Sequence, residues 1–115
     1  MSRAPIALFV YNRLWHARQT VEALQNNELA GESDLIIFSD AAKGPDSSGA
    51  VQQVRSYIKT ITGFRSVNIV ERTQNMGLAN SIISGVTQLC SKYGRVIVLE
   101  DDMVTSPYFL TILAG

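Results

Sequence analysis

Residues 95–110 read RVIVLEDDMVTSPYFL, an unbroken apolar run that ends abruptly in Glu100, Asp101 and Asp102. A nearly continuous run of branched residues marks a strand buried on both faces, as in a parallel sheet, rather than the alternation of a half-exposed one. Three adjacent carboxylates at the mouth of such a strand repel one another unless a cation or strong donors compensate. A hard divalent ion does this through oxygen ligands, taking one or two protein carboxylates and completing its shell with phosphate and water. The alternative is a solvated turn, but Ser106 and Pro107 already supply the cap and first turn of a following helix over 105–113, TSPYFLTIL.

Three more runs of the same kind lie upstream, IALFV (6–10), DLIIF (34–38) and SVNIV (66–70). Between them, Leu14, Ala17, Val21 and Leu24, then Val51, Val54, Ile58 and Ile61, recur at offsets of three, four and three, the spacing of one helix face. Leu78, Ile82, Val86 and Leu89 form a third face, with Tyr93-Gly94 as its stop. The order β-α-β-α-β-α-β predicts a Rossmann-like α/β domain, a mostly parallel sheet covered on both sides by alternating helices. The Gly, Pro and Ser cluster AAKGPDSSG (41–49) reads as a long surface loop.

At 115 residues and 46% apolar composition the chain is one globular domain, 1–115. Ten basic residues balance ten acidic ones, so nothing in the overall charge points to nucleic acid or an anionic membrane. No apolar stretch reaches the length of a membrane span and no signal-peptide pattern opens the chain, which makes a cytoplasmic location the expectation. The single cysteine, Cys90, sits in an apolar helical pattern and reads as a buried structural thiol. His16, alone and far from any cysteine, is not a metal ligand on this reading, and Tyr11, Trp15, Tyr108 and Phe109 read as packing residues.

Ligands of parallel α/β sheets bind beyond the carboxyl ends of the strands. There the four strands are followed by YNR (11–13), SDAAKG (39–44), ERTQN (71–75) and EDD (100–102), which brings Arg13, Asp40, Arg72, Asn75 and the acidic triplet to one rim. Arg13, at a strand-to-helix junction, suits a diphosphate held by a guanidinium and helix-terminal amides, or is an ordinary surface arginine. Asp40 can accept from a base or ribose or can open its turn, and Asn75 leans towards a turn or cap. No Walker loop, G-x-G-x-x-G, nucleophile elbow or zinc spacing is present.

On IALFVYNR (6–13), IIFSDAAKG (36–44), NMGLANSIISGV (75–86) and VIVLEDDMVTSPYF (96–109), the chain resembles the nucleotide-binding half of GT-A-fold glycosyltransferases. It is most similar to the N-acetylglucosaminyltransferase-I type and family-2-like enzymes, whose D-x-D motif the EDD resembles. The resemblance implies a three-layer α/β/α domain at the N-terminal end of a longer enzyme. It implies that Asp102 ligates Mn²⁺ or Mg²⁺ on the donor diphosphate, with Asp101 on the metal's waters or the ribose and Glu100 on the ribose or sugar. Arg13 would face the diphosphate, Asp40 the base and, more softly, Asn75 the nucleotide. It favours a UDP-sugar donor and inverting transfer to an unidentified acceptor, a saccharide or otherwise. The general base expected downstream of the metal motif has no counterpart here, so no catalytic residue is assigned within this chain. The competing readings are a nucleotidyltransferase, disfavoured because VYNRLWHARQ (10–19) has no glycine, and a non-catalytic nucleotide- or metal-binding module of the same fold. A phosphate-accepting receiver domain would need paired acids after its first strand, where YNR stands.

Overall fold

The computed structural model describes residues 3–103, 105, 107, 109 and 110. Its elements run β1 (Ile6–Val10), α1 (Leu14–Gln25), a short 3₁₀ turn at Ala30–Glu32, β2 (Asp34–Ser39), α2 (Pro45–Ile58), β3 (Ser66–Glu71), α3 (Leu78–Tyr93) and β4 (Ile97–Glu100). The four strands form one parallel sheet in the order β3-β2-β1-β4. This is the Rossmann-like α/β architecture the alternation predicts.

Strands β1 and β2 occupy the centre, and every residue of Ile6–Val10 is buried. Their alternate side chains serve two cores. On one face, Ile6, Leu8 and Val10 join Leu35 and Ile37 and meet Ala17, Val21 and Leu24 of α1 and Val54 and Ile58 of α2. On the other, Ala7, Phe9, Ile36 and Phe38 meet Leu89, Ile82 and Val86 of α3. The three layers follow from that division. Chain order reverses direction across the sheet between β1 and β4, because α1 and α2 lead to strands on one side and α3 leads back to the other.

Several expectations change in detail. Helix α2 begins at Pro45, so most of the surface loop expected over 41–49 is helical. Pro45 is pre-set for the first helical position and Asp46 complements the positive end of the helix, which outweighs the loop character of Ser47, Ser48 and Gly49. Ile61 is buried but lies beyond the helix end at Ile58. Cys90 is exposed, because Leu89 takes the buried face and its neighbour falls about 100° round the helix. Trp15 is 65% exposed, since it stands off the stripe of Ala17, Thr20, Val21 and Leu24. Gly94, in the left-handed conformation, closes α3 by donating to the Cys90 carbonyl at 2.9 Å, as the Tyr-Gly stop predicts. Ser106 and Tyr108 lie outside the described residues, while Phe109 packs on the first core and Leu110 is buried in it. Among the described residues no helix is long and apolar enough to cross a membrane.

Phe9 and Phe38 stack with ring centroids 4.9 Å apart, and α3 lies on them at Gly85. A Cβ at Gly85 would fall 2.9 Å from the Phe9 ring and 3.1 Å from that of Phe38. Gly85→Ala should therefore destabilise the chain by about 1–2 kcal/mol in urea unfolding, overpacking outweighing the helix-propensity gain of about 1 kcal/mol.

At the opposite end of the sheet, Asp34 accepts from Arg65 Nε (2.9 Å), Arg65 Nη2 (2.6 Å) and Ser66 Oγ (2.7 Å), tying the start of β2 to β3. The Arg65 hydrogen bond holds the Asp34 carboxyl below its usual range against the opposing effect of burial, and raises the pKa of Arg65 in turn. A depressed folded-state pKa contributes stability that is present above the unfolded value and is lost as pH falls through the folded one. Asp34→Asn should lower stability modestly at pH 7, because Arg65 is half exposed and solvent screens the pair. The gap from wild type should close in urea titrations carried progressively below pH about 4.

Candidate functional site

At the carboxyl end of the sheet, where β1 and β4 part company with the chain order, lies a cleft of about 310 Å³. The ends of β1 and β4, the loops after β1 and β2, and the start of α3 enclose it. A topological switch point is where open α/β sheets leave room for a ligand, because the connections on either side run to opposite faces.

Register sets the chemistry of this cleft. Phe9 pairs with Glu100, so the chain leaves both strands at one level, β1 into Tyr11-Asn12-Arg13 and β4 into Asp101-Asp102. Arg13 Nη2 donates to Asp101 Oδ1 at 2.6 Å and stands 3.7 Å from Asp102 Oδ2. The Asp101 side chain is 8% exposed, those of Arg13 and Asp102 about half exposed. Thr20 of α1, buried within the apolar stripe, donates from Oγ1 to the Asp101 carbonyl at 2.8 Å and fixes the turn after β4 from below. The expected answer to the acidic triplet is thus partly internal: a guanidinium from the first strand's loop faces two of the three carboxylates.

The triplet is not a cage. Glu100 and Asp101 line the cleft, Asp101 bonded to Arg13; half-exposed Asp102 does not line it but stands 3.7 Å from Arg13, which does. Among the described residues no three acidic, histidine or cysteine side chains gather round one point. The expectation that Asp101 shares an ion with Asp102 meets a competing partner, the Arg13 guanidinium already on its carboxylate.

Asp40 is buried and spends its carboxylate on the backbone. Oδ1 accepts from the amides of Ala41 and Met76, both at 2.9 Å, and Oδ2 from the amide of Gly77 at 3.0 Å and from Asn75 Nδ2 at 3.4 Å. Four donors fill the lone-pair directions of a carboxylate. Asp40 thereby fastens the β2–α2 loop to the start of α3, the turn role that stood beside base recognition. Asn75 shares that duty, donating also to the Ala41 carbonyl at 2.9 Å. Gly77 has φ +79°, a conformation side-chain-bearing residues rarely adopt, and this presents its amide to Asp40.

Arg72 does not join the cleft. Its guanidinium lies 4.9 Å over the Phe38 ring and Nη2 donates to the Ser81 carbonyl at 3.4 Å. The sequence reading passed over Arg55, whose guanidinium donates to Ser39 Oγ (3.0 Å) and to the carbonyls of Ser39 (3.1 Å) and Arg72 (2.9 Å), locking the ends of β2 and β3 together. It also passed over Lys43, which lines the cleft, and Thr20, whose one signal is a polar residue inside an apolar helix stripe. Tyr11, read as a packing residue, instead holds the loop: its hydroxyl accepts from the Lys43 amide at 3.0 Å and lies 3.3 Å from Ser47 Oγ.

No protein-family model matches the sequence, and no curated protein matches it significantly. Among solved structures the chain is similar to a mannosyltransferase from Pyrobaculum calidifontis in complex with GDP-Man and Mn²⁺, with a TM-score of 0.66 at 13% identity. The likeness covers 92% of this chain and 29% of that protein, so the chain spans less than a third of its length. That likeness is one of fold, to a glycosyltransferase, and does not single out the N-acetylglucosaminyltransferase-I type.

Asp40→Asn should destabilise the chain by about 1–3 kcal/mol, since an amide nitrogen would then face backbone donors. Hydrogen exchange should show the loss first at the amides of Met76 and Gly77, which lose their acceptor.

Proposed function

We propose that this chain is the donor-binding part of a metal-dependent glycosyltransferase and that the β1/β4 cleft takes a nucleoside diphosphate sugar. The observation that carries this is the meeting of Arg13 with the Asp101-Asp102 turn at the switch point, in a glycosyltransferase-like fold. A cleft with both a guanidinium and open carboxylates suits a ligand that is anionic and arrives with a cation.

The donor set fits Mn²⁺ or Mg²⁺. Asp102 offers a half-exposed hard oxygen ligand beside Arg13, and an ion of this kind needs only one or two protein carboxylates when phosphate oxygens and water complete its shell. When bound, the ion would neutralise charge developing on the departing nucleoside diphosphate. Arg13 would hold the diphosphate from the other side. The starts of α1 and α3, neither capped by a side chain, add amide donors at the same edge. Glu100, on the cleft wall, is placed for ribose or sugar hydroxyls.

With the carboxylate of Asp40 and the hydroxyl of Tyr11 occupied, base recognition passes to the Tyr11 ring, to Asn12 and Lys43 and to loop amides. The resemblance to the N-acetylglucosaminyltransferase-I type favours a UDP-sugar, whereas the similar mannosyltransferase was solved with GDP-Man, so both nucleotides belong in the test. Transfer would be inverting, with the general base and the acceptor site supplied by sequence beyond this chain, and the protein would act in the cytoplasm.

Calorimetric titration with UDP, GDP and CDP, with and without Mn²⁺, tests this reading. Binding should require the metal and prefer UDP or GDP. Asp102→Ala should abolish the metal-dependent part while leaving the thermal unfolding curve in place, because the residue contributes no core contact. Undiminished Mn²⁺-dependent binding in that variant would remove Asp102 from the site, and metal-independent binding of all three nucleotides would remove the metal.

A further inference from the structure

We infer that Asp101 acts on the donor through Arg13, as a positioning residue, and takes no part in holding the metal; the inference rests on the nucleotide-sugar reading above. Among the three acids only Asp101 is buried, and its carboxylate is hydrogen-bonded to Arg13 at 2.6 Å, whereas half-exposed Asp102 stands 3.7 Å from the same nitrogen. Its main chain is pinned by Thr20, which belongs to the helix that Arg13 opens. Asp101 therefore joins the end of β4 to α1 at two points, its side chain to Arg13 at the helix entrance and its backbone carbonyl to Thr20 in mid-helix.

The consequence for Arg13 is geometric. A free arginine side chain samples many rotamers, and binding an anion must freeze them. Arg13 is half exposed yet already paired, and among the described residues its contacts with Asp101 and Asp102 run through Nη2, which leaves Nε and Nη1 for phosphate oxygens. For Asp101 to ligate an ion it would have to give up a 2.6 Å charge-assisted hydrogen bond at a buried position. Asp102, 3.7 Å from the same nitrogen and half exposed, has much less to give up.

Positioning and simple charge predict opposite signs. Removing the Asp101 charge makes the cleft more positive, so a merely electrostatic role would have Asp101→Asn bind anions more tightly. Positioning has it bind them less tightly.

Calorimetry on the 115-residue chain with UDP, GDP and their nucleosides decides between these, using Asp101→Asn, Arg13→Ala and the double variant. Asp101→Asn should weaken the preferred nucleoside diphosphate by about five- to tenfold, within the span of one charge-assisted hydrogen bond. The matching nucleoside and the half-saturating Mn²⁺ concentration should not move. In the Arg13→Ala background the same substitution should change affinity by less than about twofold, since residues acting as one unit are non-additive. Tighter binding, a full additive loss, or a shifted Mn²⁺ requirement would each overturn the assignment. If circular dichroism shows Asp101→Asn unfolded, Thr20→Val releases the same turn more gently and should give a smaller loss confined to the diphosphate; unchanged affinity there would overturn it too. A wild-type chain that binds no nucleoside diphosphate with Mn²⁺ defeats the nucleotide-sugar reading itself, a result separate from additive losses in a chain that does bind.

Discussion

Strand β1 is the constraint on which the rest of the structure depends. It is hydrogen-bonded in parallel to β2 on one side and β4 on the other, and all five of its residues are buried. A strand without an open edge or a wet face must have its amides paired on both flanks and apolar cover above and below. That requirement puts α1 and α2 on one face and α3 on the other, and it forces the chain to cross from β3 at one sheet edge to β4 at the opposite one. The opening beyond the carboxyl ends of β1 and β4, where the following segments run to opposite faces, is the by-product of this crossing, and the cleft lies there.

The polar residues round the cleft divide the work between holding and offering. Asp40, Asn75, Arg55 and Tyr11 spend their hydrogen-bonding capacity on backbone amides and carbonyls of neighbouring loops. They make the rim a fixed surface, which lowers what a ligand must pay in ordering it. Arg13, Glu100 and Lys43 line the opening, and Asp102 stands half exposed beside Arg13. A buried carboxylate with four donors, such as Asp40, serves the loop; a half-exposed one such as Asp102 retains lone pairs for something that arrives.

Opposite charges brought together from segments far apart in the chain also offset part of the charge of the acidic turn. Arg13 and Asp101 are 88 residues apart in sequence and 2.6 Å apart in space. Their pairing at a partly buried position is screened less by water and salt than a surface salt bridge is. It also leaves the local charge negative once Asp102 and Glu100 are counted, so an anionic diphosphate would still need a cation beside it.

Strands, helices and their alternation were legible in the sequence because each depends on nearest neighbours along the chain: continuous apolar runs such as Ile6–Val10, and helix faces such as Ala17, Val21 and Leu24. Pro45 and Gly94 likewise fixed a helix start and a helix stop locally, though the start was hidden by the serines beside it. The convergence of Arg13 and the acidic triplet on one rim also followed, since parallel strands send all their carboxyl ends the same way. What each rim residue does there did not follow. Asp40 and Asp102 look alike in sequence, and only packing decides that one is enclosed by the amides of Ala41, Met76 and Gly77 while the other meets solvent. Thr20, Arg55 and the aim of Asp101 at Arg13 belong to the same class. Local pattern determines which element a residue belongs to, whereas the partner of a polar group is set by chain segments dozens of residues away, and only the folded sheet brings those together.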